Sequence, residues 1–405
     1  MVAKCEHHLS EGWSYKLIRT LDEVERIRPI WEKMQAEEPY PVINVDIDRY
    51  LSVLEASEGQ STPLIFLLKQ NDQPKVMIVG RCEKHTIQIR IGYKTLFKPK
   101  FTSMTVIYGG ILGQPDEQVC LLLLGELKRL LQMREVDIVF LNHLPIESPL
   151  FKAVRNRYSK LYTNLFLIQE PHWQTHLPDT PDNLYDGQHK KRKRYLHRYT
   201  RLLESNVGPV SMVCLKNPSE IDRIIKTAVS ISEKTYKNGL GVGVKNDLIT
   251  RSIISKDVLL GRFRAYILMV GDTPIAFEYG VFYHNVFFPE YIGYDPLFSK
   301  YSPGTILFLK VMESLILTSQ VKTIDYGFGP ADYKIRFGSN YWTEASLYLF
   351  SRRFHPLFIN TLISINSGIQ RLIILCFQKT QVLSWFKRIW RRKLKGIAEE
   401  SEREA

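Results

Sequence analysis

Two stretches of the chain follow one plan, and that near-repeat limits the folds available to it more than any other feature. LLQMREVDIVFLNHLP, ending at Pro145, and LILTSQVKTIDYGFGP, ending at Pro330, each read as a helix feeding a buried strand. Each is preceded by a β-hairpin with a closely similar turn. Leu64–Leu68 and Val76–Arg81 flank Asn71-Asp72-Gln73-Pro74, and Arg264–Val270 and Ile275–Tyr283 flank Gly271-Asp272-Thr273-Pro274. Further strands are expected over 87–93, 104–108 and 286–294, with helices over 118–133 and 304–318. Two copies of one mixed α/β unit account for this pattern most simply. The expected organisation is a first unit over 1–170, a connector over 171–186, a second unit over 187–350 and a basic amphipathic helical tail over 351–405. The expected fold class is α/β, with mixed sheets.

A chain of 405 residues is long enough for two such cores. Its net charge of +13 is concentrated rather than spread. Between Ser351 and Ala398, and again between Gly187 and Leu203, every charged side chain is basic. The second run is a helix whose Tyr195, Leu196, Tyr199, Leu202 and Leu203 form an apolar docking face. The five cysteines are scattered, with no CxxC and no histidines at ligand spacing, so neither a disulfide framework nor a metal site is expected. The first residues lack an apolar secretory core, and the expected location is cytoplasmic.

Chemistry is expected in the stretch from Tyr291 to Phe337. There a strand ends at Tyr294, a polar loop runs to Lys300 and Tyr301, and a helix opens at Ser302-Pro303-Gly304. Ser302 reads as an N-cap and Pro303 as a pre-organised first position, which would leave the amides of Gly304, Thr305 and Ile306 facing an anion. Glu290 on the preceding strand is the first candidate for a general base and Asp325 the second. Glu278, in an otherwise apolar strand, is a third carboxylate. Tyr326, Tyr333 and Lys334 are the candidate proton donors or positive groups for a departing anion.

The string YDPLFSKYSPGTILFLKVME followed by IDYGFGPADYKIRF resembles the CelD-type acetyltransferase-like family of the GNAT acyltransferases. The residues that carry the likeness are Asp295, Ser302-Pro303-Gly304, Asp325, Gly327, Gly329, Tyr333 and Lys334. The chain is also similar to the Fem-type aminoacyltransferases of peptidoglycan, which are tandem GNAT units. The resemblance implies direct attack of an amine or hydroxyl on the thioester of an acyl-CoA, acetyl-CoA first among them. Lys300, Tyr301, Ser302, Pro303, Gly304 and Thr305 would then be the donor-binding residues, and no metal would be needed. It further implies an acceptor among sugars or cell-envelope precursors, as in exopolysaccharide biosynthesis. The chain departs from the usual glycine-rich GNAT phosphate loop at this point. The Fem-type alternative would replace acyl-CoA with aminoacyl-tRNA, the one nucleic-acid partner considered; a non-catalytic scaffold on a membrane or polyanion is the alternative from another class.

In the tail, Phe358, Leu362, Ile365, Ile369, Leu372 and Cys376 fall at helical spacing, and Trp385, Phe386, Ile389 and Trp390 lie among basic residues. Interfacial tryptophan with a basic face suits a helix lying on an anionic membrane surface over 354–395, at the inner face of the plasma membrane. Packing of this helix against the protein is the equal alternative.

Overall fold

The computed structural model describes residues 6–8, 12–91, 94–185, 190–235, 243–318, 320–329 and 331–377. They form two compact units, one reaching residue 171 and resuming at 342, the other spanning 172–341.

The first unit contains β1 (Glu6–His8), β2 (Trp13–Ile18), β3 (Ser61–Pro63), β4 (Ile65–Gln70) and β5 (Gln73–Thr86). A separate small ribbon, β6 (Ile89–Ile91) with β7 (Lys94–Phe97), precedes β8 (Lys100–Leu112) and β9 (Ile138–Pro145). The sheet runs β1-β2-β4-β5-β8-β9, antiparallel except that β8 and β9 are parallel, with β3 paired to β5. The β4–β5 turn is the two residues Asn71 and Asp72, both at positive φ. Asn and Asp tolerate that conformation, so the turn predicted from NDQP closes tightly.

Both faces of this sheet are covered. Ile65 and Leu67 of β4 pack with Val24, Trp31 and Tyr50 from α1 (Leu21–Arg26), α2 (Arg28–Ala36) and α3 (Ile47–Ala56). Phe66 and Leu68 pack with Leu123, Leu127 and Val154 from α4 (Glu117–Gln132) and α5 (Pro149–Arg157). Burial on both faces is why such strands read as continuous apolar runs rather than alternating ones. The break between α1 and α2 falls at Ile27, two residues before Pro29, as proline's missing donor predicts.

The second unit repeats the plan with β10 (Gln169–His176), β11 (Val210–Leu215), β12 (Phe263–Val270), β13 (Thr273–Tyr283), β14 (Val286–Tyr294) and β15 (Thr323–Phe328). Its order is β10-β15-β14-β13-β12-β11, again antiparallel but for one parallel pair, β14 with β15. Its helices are α6 (Lys190–Asn206), α7 (Ile221–Glu233), α8 (Leu248–Leu259), α9 (Pro303–Leu317) and α10 (Asp332–Phe337). α9 is apolar nearly all round, with Ile306, Leu307, Phe308, Leu309, Val311 and Met312 buried. Such a helix must be covered on every side. The basic helix α6 docks on the same core through Leu196, Leu203 and Tyr199, while Leu202 of the expected face is exposed.

Two boundaries differ from the sequence expectation, for one reason. The strand following α5 is β10, yet from His172 onward it pairs with β15 of the second unit. The strand following α10, β16 (Asn340–Phe350), pairs instead with β9 of the first unit from Glu344 to Phe350. The units have exchanged their last strands. Residues 171–186 are therefore not a plain connector, and 342–350 do not belong to the second unit. Pairing between strands distant in sequence leaves no local trace, so a linear reading places both strands with their neighbours in the chain.

After β16 comes α11 (Phe354–Phe377), which is part of the first unit. Ile359 is buried beside Phe101, Ile138 and Phe350, and the Asn360 side chain donates to the carbonyls of Leu161 and Thr163 at 2.9 and 3.0 Å. Trp385, Phe386, Ile389 and Trp390 lie outside the described residues, as do Pro330 and the basic residues from Lys379 onward. Among the described residues no helix is long and apolar enough to cross a membrane.

Candidate active site

The centre of the second unit is a fork between two parallel strands. β14 and β15 are paired only through Val286 with Thr323 and Phe287 with Ile324, although both strands continue. β14 stays on β13, but its register shifts at one point: Tyr291 lies opposite Tyr279, and Pro289 lies opposite Gly280. Glu290 is the extra residue of this β-bulge. A bulge bends its strand and re-aims the side chain it carries. Gly280 is required there, because a Cβ would lie 2.2 Å from the Phe288 carbonyl oxygen. Glu290 is half-buried, and Tyr291 and Tyr294 beyond it are exposed, as is Phe328 at the end of β15. Beyond the parting, the strands thus carry exposed aromatic rings and the half-buried carboxylate of Glu290.

The helix start behind the fork is not built as the sequence suggested. Ser302 adopts the left-handed conformation, with φ 53° and ψ 47°, and its side chain caps nothing. Pro296–Tyr301 form a short 3₁₀ helix that runs straight into it, and the Ser302 amide donates to the Ser299 carbonyl. A serine side chain reaches the first-turn amides from an extended backbone, which this approach precludes. The amides of Thr305 and Ile306 both donate to the Ser302 carbonyl, at 3.0 and 3.1 Å. Of the three amides expected to face an anion, that of Gly304 is left. Lys300 places its ammonium 4.8 Å from the centre of the buried Tyr301 ring. Asp295 is buried and structural: it accepts from the Leu297 amide and from Lys234 Nζ at 2.8 Å, pinning the end of β14 to the end of α7.

On the other arm of the fork, Asp325 is buried and heavily engaged. It accepts from the Gly327 amide at 2.7 Å, meets His172 Nε2 at 2.6 Å, and lies 3.5 Å from Gln174 Nε2. Gly327, at φ +67°, takes the turn this contact holds. His172, 1% exposed, is the candidate-site residue that sequence reasoning missed. It lies on an exchanged strand, and only that pairing brings it to Asp325. Lys334 is also buried, and its ammonium donates to the carbonyls of Phe328 and Gly327 at 2.6 and 3.3 Å. It ties α10 to the end of β15. Tyr326 and Tyr333 meet edge to face, both against Phe308 of α9. Burial holds both hydroxyls above the ordinary tyrosine range. The Tyr326 hydroxyl approaches Thr175 without a well-formed hydrogen bond.

Glu278 stands out among the carboxylates. It lies on β13 opposite Tyr266 of β12 and Ile292 of β14, 1% exposed, and its Oε2 has no hydrogen-bond partner. Desolvation pushes its carboxyl up to about 8. Among the described residues no three His, Cys, Asp or Glu side chains gather as a metal-ligand set.

The first unit has a fork of its own. β8 and β9 pair only over Ser103–Val106 with Ile138–Leu141. Beyond it, His143 Nε2 meets Glu170 at 2.9 Å, and the buried Glu344 accepts from Tyr108 and Trp342. The paired part of this arm, Val139-Phe140-Leu141, is apolar. Its polar residues come from just past that string and from β16.

Residues 190–335 match the family profile described as an acetyltransferase (GNAT) domain. The crystal structure of FemX superposes with a TM-score of 0.53 at 7% identity, covering 88% of this chain and 99% of that one. The fold is of the GNAT type. A tandem GNAT protein from the clavulanic acid biosynthesis pathway, without AcCoA, superposes with a TM-score of 0.50 at 9% identity, covering 84% of this chain and 99% of that one. A comparison with curated proteins finds no match. The GNAT profile covers the fork, α9 and the Tyr333-Lys334 pair, and with the fold it supports an N-acyltransferase.

Proposed function

We propose that the second GNAT unit is catalytic and moves an acyl group from acyl-CoA, acetyl-CoA in the first instance, to an amine or hydroxyl of a sugar or cell-envelope precursor. The CelD-type resemblance supplies the acceptor class. The observation that carries the reading is the fork: strands that part after two paired residues, with a bulge on one arm, open the gap in which the thioester is proposed to lie.

In this scheme Glu290, carried by the bulge, accepts the proton of the attacking amine. The C–N bond forms as the C–S bond breaks, and the departing thiolate takes a proton from Tyr333. Lys334 and Asp325 are positioning residues, holding the loop and turn that end β15. Lys300, Tyr301 and the turn from Ser302 to Thr305 receive the donor's phosphates, with the Lys300 charge as the main attraction. Glu290→Gln tests the scheme. A general base contributes about 10²–10⁴-fold, so kcat should fall by that order with the donor KM little changed. Unchanged kcat would remove Glu290 from the mechanism.

A second reading, aminoacyl transfer from a charged tRNA as in Fem-type enzymes, is favoured by the amides already engaged at the start of α9. The exposed basic side chains of α6 would suit such a donor. Peripheral attachment to an anionic membrane through 354–395 belongs to the same proposal. Failure of every acyl donor to react would leave the non-catalytic scaffold.

A further inference from the structure

Glu278 has no part in the scheme above, yet it lies under it. It sits in the core beneath α9, among the side chains that carry the fork's tyrosines. Tyr266 faces it from β12, and Ile292 is its partner on β14. Tyr326 of β15 and Tyr333 of α10 pack in the same core as Tyr266 and Ile292, near enough that the charge of Glu278 would act on both. The other charged or titratable groups bearing on this cluster are Cys214 and Arg264, beside Tyr266, and Arg192 of α6, near Tyr326. None of them pairs with Glu278, whose environment acts on it through desolvation alone.

Two buried polar atoms in this cluster, Glu278 Oε2 and the Tyr326 hydroxyl, lack a hydrogen-bond partner. Such atoms cost free energy and call for an explanation. A carboxylate that served only packing would be better replaced by an apolar side chain at this position.

We propose that Glu278 is a positioning residue that works as a neutral acid, keeping Tyr326 and Tyr333 able to give up a proton during acyl transfer and stopping them when it ionises. The inference rests on the acyl-transfer reading. Neutral, the carboxyl adds no charge to the burial that already raises both tyrosine hydroxyls, and Tyr333 can still give its proton to the thiolate. Charged, it places a negative charge in a medium of low dielectric beside them, and forming tyrosinate next to it becomes harder still. The proton lost by Tyr333 to the thiolate is then not supplied, and the C–S bond breaks more slowly. Burial sets the midpoint of this change near pH 8.

The experiment is the pH–rate profile of wild type and Glu278→Gln with acetyl-CoA and an amine acceptor. Glutamine keeps the shape and the neutral form. Wild-type turnover should fall about tenfold per pH unit above the midpoint, and that alkaline limb should be absent in the variant, whatever its rate at pH 7. The same limb in both proteins overturns the inference while leaving acyl transfer standing; no turnover in wild type at any pH overturns acyl transfer instead. Infrared difference spectra between pH 6 and pH 9 give a readout free of turnover. A protonated-carboxyl band that disappears near pH 8 in wild type and is missing from Glu278→Gln is expected, and its absence from wild type contradicts the neutral acid directly.

Discussion

At the scale of single residues, the carboxylates of the second unit separate by environment. Asp325 is locked by a histidine and a backbone amide, Asp295 by Lys234 and a cap, Glu290 stands on a bulge, and Glu278 is sealed in the core. The sequence ranked Glu290 and Asp325 as candidate bases by their positions at strand ends, and nothing local could tell the partners of one from the partners of the other. That difference is made by His172, on a strand exchanged from elsewhere. Ser302 fails similarly: serine before proline is a good cap by composition, but the preceding 3₁₀ turn dictates its backbone. Glu278 gives a stability prediction with a definite sign. Its folded pKa is raised, to about 8, so it contributes stability that is full below the ordinary carboxylate range and is lost as pH rises towards 8. The melting temperature of wild type should therefore decline from pH 5 to pH 8 relative to Glu278→Gln, and level off above. Parallel curves for the two proteins would mean that Glu278 is ionised throughout.

At the scale of elements, the hairpins and the helix-to-strand crossovers were readable because their signals are local: two-residue turns with Asn, Asp or Gly, and apolar runs of the right length. Which strand completes each sheet was not readable. The tail helix illustrates the same limit. Its spacing of apolar residues fits a membrane surface or a protein surface equally well, and Asn360, a polar residue in this helix, is the one that bonds two carbonyls of the first unit. The two roles can be separated by truncation. A chain ending at Phe377 should keep its fold and lose any binding to anionic vesicles in a sedimentation assay. A chain ending before Phe354 should lose stability, since leaving the Leu161 and Thr163 carbonyls unbonded costs about 1–3 kcal/mol in addition to the lost burial of Ile359. Vesicle binding retained by the chain ending at Phe377 would contradict a membrane role for the basic tip.

At the scale of the whole molecule, the chain is a duplicated GNAT plan in which each copy has a fork between its two parallel strands. Only the second copy carries the profile match and the Tyr333-Lys334 pair. At the start of α9 in that copy the amides of Thr305 and Ile306 are engaged by the Ser302 carbonyl, which makes the donor the point to test. The most direct test is a thermal-shift titration of the full chain with acetyl-CoA and, separately, with aminoacyl-tRNA. A ligand at about a hundred times its Kd stabilises by about 2.7 kcal/mol, which for a unit of this size raises Tm by several degrees. That rise is expected with acetyl-CoA; no rise at millimolar acetyl-CoA, with one on adding charged tRNA, would contradict acyl-CoA as the donor.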